Sequence, residues 1–116
     1  MNENEFVIQL ISVFLIINAI ILGIMAFPLI IGAVRMNPLY GVRTSEAFKS
    51  DENWYKINKY GGKVLLGLSI VWLVCGILAI AVCDAHRLLA IRILIGAGVV
   101  FIVMFLQIFI YSKKFK

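Results

Sequence analysis

Three long apolar runs, separated by two polar segments of very different length, organise the chain. The first run, 6–34, carries no charge; the second covers 64–83, and the third, 88–111, contains only Arg92 as a charge. A hydrocarbon core of ~30 Å is crossed by about 20 residues of α-helix, so each run is long enough to span a bilayer. At ~1.5 Å per residue the first reaches roughly 43 Å, and it must tilt, kink or start in the interface. Pro28 is the expected kink, because it lacks an N–H and crowds the carbonyl four residues back. The short segment 84–87 makes the second and third spans an antiparallel hairpin. The predicted architecture is an all-α membrane protein, one domain over 1–116, with three transmembrane helices plus a short amphipathic cytoplasmic interfacial helix in the connector 35–63.

That connector holds most of the polar pattern. Asn37 and Pro38 followed by Gly41 are turn chemistry and end the first helix. Ser50 reads as an N-cap, with Asp51 and Glu52 in the first turn, where the helix dipole favours negative charge. Gly61 and Gly62 are the expected stop. At about 100° per residue, Glu52, Lys56, Lys59 and Lys63 fall on one side, opposite Trp54, Ile57, Asn58 and Gly61. This predicts a helix lying in the interface, with Trp54 at headgroup depth and the lysines toward phosphate or water.

Composition narrows the class. The chain has 116 residues, 63% of them hydrophobic and 15% charged, with a mean hydropathy of +1.04. Soluble domains are closer to half apolar and a quarter charged, and so short a chain has little interior in which to hide the excess. A soluble enzyme, a secreted disulfide scaffold and a disordered tail are excluded. Cys75 and Cys83 would lie roughly 12 Å apart along one helix, too far for a bridge, and read as small buried hydrophobes. The start Met-Asn-Glu-Asn-Glu has no basic n-region, and the run after it exceeds a usual h-region, so the first span is expected to be permanent.

The net charge of +5 matters through its placement. Arg35, Arg43, Lys49, Lys56, Lys59 and Lys63 lie in the connector, and Lys113, Lys114 and Lys116 in the tail, against Arg87 and Arg92 on the other face. This bias predicts an N-terminus outside, with connector and tail in the cytoplasm. Basic residues flanking spans in this way argue against a nucleic-acid partner and make the lipid bilayer the expected one.

Polar groups inside the spans are few. Ser69 and Gln107 share a depth and could hydrogen-bond to each other. Arg92, level with Glu5, Gln9 and Ser12, either snorkels to the outer headgroups or pairs inside the bundle and marks a ligand site. Ala19 with Gly23, Cys75 with Ala79 and Cys83, and the Gly96, Ala97, Gly98 cluster have the spacing of close helix packing. His86, beside Asp84 and Arg87, has no nucleophile or second ligand near it and reads as a solvated turn residue. No Ser-His-Asp set, paired intramembrane acids or metal-ligand spacing occurs, so neither an enzyme nor a cofactor is expected. Arg43 and Thr44 after Gly41 could converge on an anion such as a phosphate headgroup; equally, Arg43 could satisfy the last carbonyls of the first span.

Asn37, Pro38, Tyr40, Gly41, Val42, Arg43 and Thr44, followed by the spaced Ser50, Trp54, Asn58 and Gly62, resemble the signature of the SdpI family of bacterial membrane proteins. The resemblance covers about 28–110. It implies a multi-pass protein of the bacterial cell membrane that confers immunity to a secreted antimicrobial peptide, signals through a cytoplasmic repressor, or both. The longer members carry further N-terminal spans. On this reading a hydrophobic toxin peptide is captured at the outer half of the bundle, with Arg92, Gln9 and Ser12 as anchors. The motif from Asn37 to Gly62 then packs the bundle or presents a basic docking surface. The rival expectation is a lipid- or small-ligand-binding protein or a homo-oligomeric transporter subunit, binding anionic headgroups through Arg43, Lys56 and Lys59.

Overall fold

The computed structural model describes residues 1–116, all helix and connector with no strand. Helix α1 runs Glu3–Ile30, α2 Asp51–Cys83 and α3 Arg87–Ser112, with single 3-10 turns at Ala47–Lys49 and Lys113–Phe115. All three helices are long and apolar enough to cross a membrane. Their outward faces are correspondingly greasy, with Phe14, Ile24, Ile95 and Phe105 each more than 60% exposed. In lipid such faces meet acyl chains, and the helical backbone satisfies its own polar groups.

Local chemistry fixes the ends. Asn2 caps α1 by accepting the Glu5 N–H at 2.9 Å, while the Glu5 carboxylate takes the Asn2 N–H at 3.2 Å. This reciprocal pair satisfies two of the N–H groups a helix start leaves free. The other end comes earlier than the apolar pattern suggests, at Ile30 rather than Val34. Gly32 turns left-handed (φ +72), and the N–H groups of Gly32 and Ala33 return to the carbonyls of Leu29 and Pro28. That paired return is a glycine-dependent helix stop, hidden within an apolar run. Pro28 lies within the helix, in the turn before this stop.

The separate interfacial helix expected in the connector is absent. Ser50 does cap a helix, accepting the Asn53 N–H at 3.1 Å, but that helix continues through Gly61 and Gly62 to Cys83. Its 33 residues reach about 50 Å, some 20 Å more than a hydrocarbon core is thick. The glycine pair permits close approach instead of stopping the helix. A Cβ on Gly62 would lie 3.0 Å from the Ala26 carbonyl oxygen, and one on Gly61 2.5 Å from Val42. Lys56, Lys59 and Lys63 are exposed as expected, but the opposite face is covered by protein rather than lipid: Trp54, Ile57 and Asn58 are all buried. Trp54 is therefore enclosed by the fold and not by lipid headgroups.

Helix α2 is the centre of the bundle, packing along both α1 and α3, which barely touch each other. The Ser69 hydroxyl donates to the Ala19 carbonyl at 2.6 Å across α1 and α2, so its partner is not Gln107, which is exposed. Trp72 Nε1 donates to the Ala97 carbonyl at 3.0 Å across α2 and α3. At the inner end of the same pair, Tyr60 and Tyr111 stack with ring centres 3.8 Å apart. Ala97 is buried, whereas a Cβ on Gly96 or Gly98 would meet nothing. The small cluster on α3 thus packs through its alanine alone. Cys75 and Cys83 are both free thiols.

Candidate functional site

The connector folds back onto the first turns of α2 instead of trailing in the interface. Asn37 organises its turn: Oδ1 accepts the N–H groups of Leu39 and Tyr40, at 2.9 and 2.7 Å, and Nδ2 donates to the carbonyls of Arg35 and Tyr40. Tyr40 then reaches α1, where its hydroxyl donates to the Met25 carbonyl. Burial pushes the Tyr40 phenol up from its ordinary range.

Gly41 follows with φ +114, a conformation side chains rarely adopt. A Cβ there would also lie 2.6 Å from Asn58 Oδ1 and 3.2 Å from the Trp54 ring. The absence of that Cβ lets Asn58 act on the next residue as a strand partner would. Asn58 Oδ1 accepts the Val42 N–H at 2.6 Å, and Nδ2 donates to the carbonyls of Val42 at 3.3 Å and Trp54 at 3.0 Å. Beside it Trp54 Nε1 donates to the Val34 carbonyl at 2.8 Å, tying the chain just past α1 to α2. Trp54, Ala47 and Ile57 form a buried cluster, against which Val34, Met36, Val42, Tyr111 and Phe115 pack.

Eight of the nine residues singled out in the sequence therefore belong to one assembly. Asn37, Tyr40, Gly41, Trp54, Asn58 and Gly62 build it, Thr44 ties it to α3, and Arg43 stands at its edge. Arg92 is separate: it is exposed on α3 in the other half of the molecule. Arg43 donates to the Pro38 carbonyl within the connector. It does not cap α1, whose last carbonyls are taken by the Gly32 stop.

Glu46 is the residue that sequence reasoning passed over. It is 3% exposed, accepts from Lys113 Nζ at 3.0 Å and from the Ser112 hydroxyl at 3.3 Å, and Ser112 in turn meets Thr44 Oγ1 at 2.5 Å. Asn53 adds bonds to the carbonyls of Glu46 and Phe115. Together these groups clamp the end of α3 onto the connector. The Lys113 hydrogen bond, with smaller help from the backbone and Ser45, lowers the Glu46 carboxyl to about 2. A depressed acid stabilises the fold fully above its unfolded value near 4.5, and that contribution is lost as pH falls through about 2. In detergent, the melting temperature of the wild type should fall more between pH 4.5 and 2 than that of Glu46→Gln. Parallel curves would remove Glu46 from the clamp.

Because α1 and α3 diverge, a cleft lies between them, with a cavity at each end. The outer one, about 580 Å³, is lined by Val7, Ile8 and Ile11 of α1 and Leu88, Ile91, Leu94 and Ile95 of α3, with Asn4 and Arg87 as its polar groups. The inner one, nearer the connector, about 400 Å³, is bounded by Met25, Leu29, Leu65, Phe105, Ile108 and Phe109, and closed on the connector side by residues 40–44. Both volumes fall in the ~300–1,000 Å³ range of ligand sites. None of the three anchors expected for the outer half, Arg92, Gln9 and Ser12, lines the outer cavity. Ser12 is buried with its hydroxyl on the Ile8 carbonyl at 2.7 Å, and Arg92 does not line the outer cavity, whose arginine is Arg87.

These features define a three-span α-helical membrane protein with a connector docked on an extended central helix. The chain belongs to the SdpI/YfhL protein family, whose description matches residues 33–115, the connector past α1 with α2 and α3. No curated protein and no solved structure matches it.

Proposed function

We propose that this protein is a non-enzymatic immunity protein of the bacterial cell membrane, protecting its host from a secreted, membrane-active peptide. The observation that carries the reading is the family match, which takes in the docked connector together with α2 and α3. With the N-terminus outside, as the charge bias favours, the outer cavity opens on the face from which such a peptide arrives. Its apolar walls on α1 and α3 suit a hydrophobic segment, and Arg87 and Asn4 replace the earlier anchor set at its rim. The exposed lysines of α2 form the cytoplasmic surface that a repressor would meet in a signalling role.

Expression in a toxin-sensitive strain should raise survival. Arg87→Ala should lower the tolerated peptide concentration about tenfold, the worth of one charge-assisted hydrogen bond of ~1.5 kcal/mol. Equal killing with and without the protein, once its insertion is verified, would reject immunity. Protection unchanged by Arg87→Ala would move the peptide out of this cavity.

A further inference from the structure

The inner cavity has a chemistry the immunity reading does not use. We propose that it is a binding site for an anionic phospholipid of the cytoplasmic leaflet, with one acyl chain between α1 and α3 and the phosphate at Arg43. Three observations converge on that ligand. The walls are apolar and open sideways to the bilayer, with Met25, Phe105 and Phe109 each at least 40% exposed. Such walls take a hydrocarbon chain without any loop having to move.

The end toward the cytoplasm is cationic. Arg43 is in no ion pair, and no carboxylate is among the lining residues. The bond from Arg43 Nη1 to the Pro38 carbonyl fixes the guanidinium while leaving its remaining N–H groups free. A planar fork held in this way matches phosphate oxygens.

The third observation concerns the backbone. The N–H groups of Arg43 and Thr44 are not taken up by any backbone carbonyl, and successive free N–H groups beside an arginine favour an anion. The Thr44 and Tyr40 hydroxyls are already committed, to Ser112 and to the Met25 carbonyl. The headgroup is therefore read by Arg43 and backbone rather than by a hydroxyl set. Lys56 and Lys59 take no part in this site: neither lines the cavity, and Lys56 is held by Glu52 at 2.6 Å.

The test uses the full chain in detergent micelles, with native mass spectrometry counting retained phosphatidylglycerol, phosphatidylcholine or inorganic phosphate. Wild type should retain phosphatidylglycerol in preference to phosphatidylcholine. Arg43→Gln should lower that retention about fivefold, the weight of one basic residue at an anionic surface, while Lys59→Gln, removing the same charge elsewhere, leaves it unchanged. Met25→Trp, which fills the groove at a tolerant exposed position, should lower retention of the lipid independently of Arg43. Equal retention of the two lipids, equal loss in Arg43→Gln and Lys59→Gln, or no loss in Met25→Trp would overturn the proposal. So would tight retention of inorganic phosphate alone, since the groove would then contribute nothing.

Discussion

Replacing Trp54 by alanine should cost about 3–5 kcal/mol of stability, the usual toll of truncating a fully buried aromatic. The side chain is completely enclosed and does two jobs at once. Its ring fills the space between the connector, α2 and the end of α3, stacking obliquely on Phe48 at 5.5 Å. Its Nε1 holds the Val34 carbonyl, which alanine would leave without a donor. Trp54→Phe separates the two contributions: it keeps most of the volume and should cost about 1 kcal/mol for the lost bond, plus repacking. Reversible unfolding in mixed micelles would measure both. A Trp54→Ala protein as stable as the wild type would mean that the ring faces lipid, as the sequence pattern suggested.

Asn58→Leu should be nearly as damaging, at about 2–4 kcal/mol, although leucine is similar in size and better suited to an apolar setting. The loss comes from Val42, whose N–H and C=O are both served by the one amide; an unsatisfied buried group costs ~1–3 kcal/mol. Asn58→Asp is the sharper comparison. It keeps the acceptor for the Val42 N–H but turns a second oxygen toward the carbonyls of Val42 and Trp54, which repel it. Both variants should speed amide hydrogen exchange at residues 41–44 while α2 and α3 remain protected. Unchanged exchange there would show that the connector docks without Asn58.

These two residues also show where the sequence was readable. The three spans follow from apolar length alone, because in lipid a run of that length has almost no other stable fate. The Ser50 cap was equally plain, since a hydroxyl followed by Asp51 and Glu52 is a local signal. Glycine was ambiguous for a physical reason. Lacking a Cβ, it can take a left-handed turn or admit a neighbour closely, and neighbours are invisible in one dimension. Gly61 and Gly62 looked like a stop and admit Val42 and the end of α1 instead. Gly32, embedded among apolar residues, is the stop. Periodicity groups Trp54, Ile57, Asn58 and Gly61 on one face, but cannot say whether lipid or folded chain will cover it. Glu46 was hidden for a related reason. Its partners Ser112 and Lys113 lie 66 and 67 residues further along the chain, and only the docking of the connector brings them within reach.

The unbroken passage of α2 through its glycine pair gives the molecule a stiff lever. A rod of about 50 Å that pivots by 5° at one end sweeps its other end through roughly 4 Å. A shift of α2 at its far end would thus arrive at the lysine-bearing turns as a displacement of side-chain size. Two helices separated by a stop at Gly61 and Gly62 would dissipate the same motion at the break.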